Sequence, residues 1–135
     1  MPLLSLSGQR PRDLGVQDGR LKPCPNSPNC VCSYETDAAH GIDPLEVPGE
    51  ASEAIARLRT VVEAMPRTQV IEARADYLYV EFTTALMGFV DDVEFYLDGQ
   101  RSGIQVRSAS RLGQSDLGAN RSRVEEIRKR LAALL

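Results

Sequence analysis

An α+β fold, with a single antiparallel four-stranded sheet ordered helix, four strands, helix, is predicted by three features of this 135-residue chain. Apolar residues recur at spacings of three and four near positions 51–65 and again at 124–134, the period of an amphipathic helix. Between these segments apolar and polar residues alternate, the period of half-buried strands. The alternating runs are separated by turn residues too few for a crossover helix, which favours an antiparallel meander.

The chain opens with a segment unlike the rest. Seven of the eight prolines, five of the ten glycines and all three cysteines lie between Met1 and Gly49. Proline lacks an N–H and fixes its own φ, so residues 1–48 are predicted to be a long irregular arm, packed on a core at 49–135 within a single domain, 1–135. The first helix follows, with Ala51, Ala54, Ile55, Leu58, Val61, Val62 and Met65 on one face and a Glu53–Arg57 pair on the other. Pro66 ends it. A strand near Thr68 to Glu72 turns at 73–76 into Tyr77 to Thr83, where Leu78, Val80 and Phe82 alternate with Tyr77, Tyr79 and Glu81.

Phe89 to Leu97 repeats the alternation, with Val93, Phe95 and Leu97 against Asp92, Glu94 and Tyr96. Asp98-Gly99 is a strong hairpin signal, and Ile104 and Val106 then alternate with Gln105, Arg107, Ala109 and Arg111 in a fourth strand. The last helix is predicted to bury Val124, Ile127, Leu131 and Leu134, with Glu125–Lys129 and Glu126–Arg130 pairs outside; Ser122 with Glu125 matches a capping box. One sheet face is thus apolar and helix-covered. The other gathers Tyr79, Glu81, Asp92, Glu94, Tyr96, Arg107 and Arg111, opposite charges on neighbouring strands.

Charge follows the same division. Residues 1–48 carry −2, residues 49–99 carry −6 and residues 100–135 carry +5, for a net charge of −3. Within one small domain this asymmetry reads as a basic third packed beside an acidic middle rather than as a nucleic-acid surface, and the basic run holds no aromatic residue on which a base would stack. No segment approaches the ~18 apolar residues of a membrane-spanning helix, and the first residues lack the basic leader and apolar core of a secretion signal, so cytoplasmic residence is expected. No cofactor motif is present.

Three stretches stand out: CPNSPNC at Cys24 to Cys30, GFVDDVEF at Gly88 to Phe95, and VRSASRLGQSDLGANRSRV at Val106 to Val124. Together with RPRDLGVQDGRLKP before the first and His40 and Pro44 after it, they resemble, nearly end to end, the bacterial and plastid family catalogued as domain of unknown function 1499. The resemblance implies a stand-alone domain and carries no mechanism. Where that family usually has two serines after the second cysteine and its valine, this chain has Cys32 then Ser33, so any role of Cys32 is particular to it.

Cys24, Cys30, Cys32 and His40 offer the donor types of a Cys3His zinc site, although the five residues between the first two cysteines exceed the usual two to four. A Cys24–Cys30 disulfide would staple the arm, at odds with a reducing compartment. The reading favoured by the expected compartment is reduced cysteines in a tight proline-rich turn. His40, the only histidine, is expected to anchor the arm, since no nucleophile-elbow pattern surrounds Ser108, Ser110 or Ser115. Asp91, Asp92 and Glu94 could serve a hard metal or acid–base chemistry, with salt bridging the simpler use, so metal binding or hydrolysis stays an alternative and a non-enzymatic module is preferred.

The run Arg107 to Arg123 packs four arginines, four serines and two glycines around the start of the last helix. Arginine forks and helix N-terminal N–H groups suit a phosphate or carboxylate, so Arg107, Ser108, Ser110, Arg111, Ser115, Asn120 and Arg121 are the candidate ligand residues, with Asp92 and Glu94 as their partners on the polar face. The expected function is recognition of an anionic small molecule or partner group. Asp116, in the same loop, would oppose an anion. The alternative is a protein-interaction module using the apolar turn at Leu86, Met87 and Phe89, unless the arm covers it.

Overall fold

The computed structural model describes residues 8–47, 49–86, 88–112 and 118–134. The order is β1 (Cys30–Cys32), a 3-10 turn (Ala51–Glu53), α1 (Ala54–Glu63), β2 (Thr68–Ala73), β3 (Tyr77–Thr83), β4 (Val90–Tyr96), β5 (Gln105–Ser110) and α2 (Ala119–Ala132). The sheet is antiparallel throughout, in the order β1-β5-β4-β3-β2. It therefore has five strands, not the four expected. The fifth comes from the arm: Cys30, Val31 and Cys32 pair with Ala109, Ser108 and Arg107. Three residues are too few to show an alternation among so many prolines, and it is pairing to β5 that makes them a strand.

The register brings the predicted faces together. Tyr79, Glu94 and Arg107 stand side by side across three strands, and Glu81 pairs with Asp92. On the opposite face Leu78, Val80, Val93, Phe95 and Val106 meet Ile55, Leu58 and Val62 of α1 and Val124, Ile127 and Leu131 of α2 in the main core. Leu134, assigned to that core from its spacing, is instead 45% exposed, two residues beyond the end of α2. Gly118 caps α2 with a φ of 81°, so Ser122 lies inside the first turn, its N–H on the Gly118 carbonyl, and the capping box does not form. Glu126 pairs with Arg130 as expected, while Glu125 pairs with Arg128.

The connection from β4 to β5 spans residues 97–104 rather than a two-residue hairpin. Asp98 still organises it, but as an acceptor: its carboxylate takes the Gln100 N–H at 2.8 Å and the Tyr34 hydroxyl at 2.6 Å. At Gly103, with φ of +84°, an added Cβ would stand 2.6 Å from the Leu45 carbonyl oxygen, which accepts the Ile104 N–H at 2.7 Å; only glycine permits that approach. Along β2 the pairing with β3 shifts between Val70 and Glu72, a bulge at Ile71.

The arm does what helices do on the other face. Leu21, Cys32, Tyr34, Tyr77 and Tyr79 form a second buried cluster, with Leu14, Val16 and Cys24 packed against it. A disulfide between Cys24 and Cys30, Cα atoms 5.7 Å apart, ties the arm to β1 and corrects the reading of reduced cysteines. Cys32 is free and buried. His40 does anchor the arm, with Nδ1 2.7 Å from Asp37 Oδ2, Nε2 2.8 Å from the Ser27 carbonyl, and its own carbonyl accepting the Cys32 N–H. No helix among the described residues is long and apolar enough to cross a membrane.

Cross-linking this short loop removes conformations mainly from the unfolded chain, so Cys24→Ser is expected to lower the unfolding free energy by about 2 kcal/mol. Chemical denaturation should give the same loss for wild-type protein after reduction.

Candidate functional site

Alternation along β5 and its exit divides the basic run between the two faces of the sheet. Arg107 and Arg111 face the arm. Ser108 and Ser110 face α2, where Ser108 Oγ donates to Asn120 Oδ1 at 2.7 Å and Asn120 Nδ2 donates to Ser110 Oγ at 2.9 Å and to the Asn29 carbonyl at 3.2 Å. Arg123 completes this helix-side network. Its Nη1 donates to Asn120 Oδ1 at 2.8 Å, its Nη2 to Asp91 Oδ2 at 2.6 Å, and its guanidinium stands 5.0 Å from the Phe82 ring centroid. Asn120 and Ser108 are fully buried, so these groups lock α2 onto the sheet. Arg121 lies outside both networks, its Nη2 on the Ala38 and Ala39 carbonyls at 3.3 and 3.4 Å. Ser115, Asp116 and Gly113 lie outside the described residues.

On the arm side the arginines have different surroundings. Arg111 forks onto Asp92, with Nε to Oδ2 at 2.9 Å and Nη2 to Oδ1 at 2.8 Å, and Nη2 also reaches Glu81 Oε2 at 2.6 Å. Arg10 adds a second cation to Glu81 at 2.6 Å, and the Tyr79 hydroxyl donates to Asp92. Although burial alone would push the Glu81 carboxyl up, the hydrogen bonds from Arg10 and Arg111 hold it below the usual glutamate range. The charge of Arg111 is thereby consumed within the protein.

Arg107 is not consumed in this way. It is 4% exposed, its Nε has no hydrogen-bond partner among the described residues, and its Nη2 reaches the Pro23 carbonyl only at 3.5 Å. Its cross-strand neighbour Glu94, 0% exposed, directs Oε2 to the Tyr77 hydroxyl and to the Gly15 N–H at 2.7 Å, while Oε1 has no partner among the described residues. Burial pushes the Glu94 carboxyl above its ordinary range against the pull of Tyr77, Gly15 and Arg107. Between arm and sheet, above Arg107, lies a cleft of about 390 Å³, lined by Pro11, Leu14, Lys22, Pro23, Cys24 and Pro25 from the arm and by Asp92, Arg107, Ala109, Ser110 and Arg111 from the sheet side. The arm's part in this cleft was not legible, because nothing in its composition says which sheet face it covers.

The other candidates are placed as follows. Cys24 and Cys30 are bonded to each other, so the Cys3His set is not available, and no group of three or more His, Cys, Asp or Glu among the described residues could hold a metal ion. Leu86 is 90% exposed and Phe89 partly buried, so the described part of the arm leaves Leu86 uncovered; Met87 lies outside the described residues.

Removing the Arg111 side chain would leave Asp92 and Glu81 buried beside each other, so Arg111→Ala is expected to cost about 3 kcal/mol, whereas Arg121→Ala should cost well under about 1 kcal/mol; urea unfolding separates them. Because the folded state favours protonated Glu94, its contribution to stability is greatest below the ordinary value of 4.5 and is lost as pH rises above it. Glu94→Gln, which mimics the protonated form, should therefore gain stability relative to wild type as pH is raised from about 4 to 8, as measured by denaturation at stepped pH.

Residues 20–131 match the model of a family described as protein of unknown function (DUF1499). No curated protein and no solved structure matches the chain.

Proposed function

The chain belongs to the DUF1499 family, a membership that brings a fold's worth of shared sequence and no chemistry, and from the site itself we propose that it binds a small anionic molecule between arm and sheet. The observation that carries this reading is Arg107, a buried guanidinium with an unpartnered Nε beside a cleft. A buried cation without a matched anion is costly, and a carboxylate or phosphate reaching it would be held by charge-assisted bonds in a low-dielectric site. Neighbouring Glu94 directs Oε2 to Tyr77 and Gly15 and forms no ion pair with Arg107 within 4 Å among the described residues. Lys22, on the cleft wall, adds positive potential at the entrance, although its ammonium also meets Asp13.

Arg107 is the anion's partner in this reading, and the other described candidates have structural work. Ser108, Ser110 and Asn120 hold α2, Arg111 neutralises Asp92 and Glu81, and Arg121 ties α2 to residues 38 and 39. The interaction-module reading rests on the turn at Leu86, Met87 and Phe89, where Leu86 is the exposed apolar side chain among the described residues, and one exposed leucine is ordinary for a protein surface.

Thermal-shift measurements with acetate, benzoate, inorganic phosphate and sulfate test the proposal. At least one of these anions should raise the melting temperature of the wild type and of Arg121→Gln, and none should do so for Arg107→Gln. Anion stabilisation that survives in Arg107→Gln and vanishes in Arg121→Gln would move the site to the start of α2.

A further inference from the structure

The cleft above Arg107 has a polar floor and an apolar wall, and the two select different parts of a molecule. Arg107 belongs to the floor, and one edge of its guanidinium is under-used: the buried Nε has no hydrogen-bond partner among the described residues, and Nη2 meets the Pro23 carbonyl only at 3.5 Å. Nε–H and the adjacent Nη–H are parallel donors about 2.3 Å apart, matching the two oxygens of a carboxylate. The remaining cations are committed, Arg111 to Asp92 and Glu81, and Lys22 to Asp13. Asp92 also lines the cleft and opposes a second negative charge on any occupant. One charge, carried on two coplanar oxygens, is what this floor accommodates.

The wall is of another kind. Leu14, Pro23 and Pro25 from the arm face Ala109 from β5, all without side-chain hydrogen-bonding groups, and the volume of about 390 Å³ lies within the range of small-molecule sites. An anion such as phosphate, hydrated on every side, would leave this surface unused.

Resting on the anion site proposed above, we infer that the occupant is an amphiphilic monocarboxylate, its carboxylate on the Nε edge of Arg107 and its hydrocarbon body against Leu14, Pro23, Pro25 and Ala109. Each methylene buried strengthens binding about fourfold, so seating two of them already separates a medium-chain acid from acetate by more than about tenfold.

Calorimetric titration of the full chain with octanoate, acetate, inorganic phosphate and octylamine reads the inference directly. Octanoate should bind more than about tenfold tighter than acetate, and octylamine should not bind. Arg107→Gln should weaken octanoate about tenfold or more, and Leu14→Ser, a change in a partly buried arm residue, should weaken octanoate and leave acetate unchanged. Phosphate or acetate binding as tightly as octanoate, and lost in Arg107→Gln, would overturn the amphiphile while the anion site stands. Absence of any Arg107-dependent anion binding overturns both. If Arg107→Gln does not fold, the octanoate-to-acetate ratio in wild type and Leu14→Ser decides the inference, an unchanged ratio counting against it.

Discussion

Glu81, Asp92 and Glu94 stand within one patch of sheet, and the arm covers that patch. Carboxylates taken out of water are paired, hydrogen-bonded or pushed towards the neutral acid, and each of these responses is present here. Asp92 takes the fork of Arg111 and the Tyr79 hydroxyl, Glu81 takes two arginines, and Glu94 is pushed towards its neutral form between Tyr77 and Gly15. The arm is held by the same groups it covers: Arg10 reaches Glu81, and the Gly15 N–H reaches Glu94. Its path over the sheet is therefore set by hydrogen bonding as much as by the burial of Leu21 and Tyr34.

That dependence accounts for what could be read in advance. Period-2 alternation placed Tyr79, Glu81, Asp92, Glu94, Arg107 and Arg111 on one face correctly, because register follows from which side of each strand is apolar. Asp91 points to the helix side as its position requires, and Arg123 meets it there. The limits are equally physical. β1 exists only through its partner β5, and the start of α2 is fixed by the positive φ of Gly118 rather than by a nearby serine. The run Arg107 to Arg123 is divided between the two faces, because the same alternation sends Ser108 and Ser110 to the opposite side from Arg107 and Arg111.

Among these arginines, the number of available partners decides what each one does. Arg111 and Arg123 are saturated by carboxylates and by neighbouring side chains, and their removal acts on folding. Arg107 is more buried than they are, and burial pushes the carboxyl of its cross-strand neighbour Glu94 upwards. The Cys24–Cys30 link holds the arm close to it, since both Cys24 and Pro23 belong to the cleft wall. Covalent restraint and electrostatic shortfall thus meet at one position of the sheet.

The bulge at Ile71 bears on how this sheet ends. A five-stranded sheet has two outer strands whose unpaired N–H and C=O groups invite addition of a strand from another molecule. Here one outer strand, β1, is three residues long, and the other, β2, is bent by its bulge and carries the exposed Glu72–Arg74 pair beside it. Neither margin is a long flat template, so the sheet resists edge-to-edge polymerisation and is ill suited to capturing peptides by strand addition.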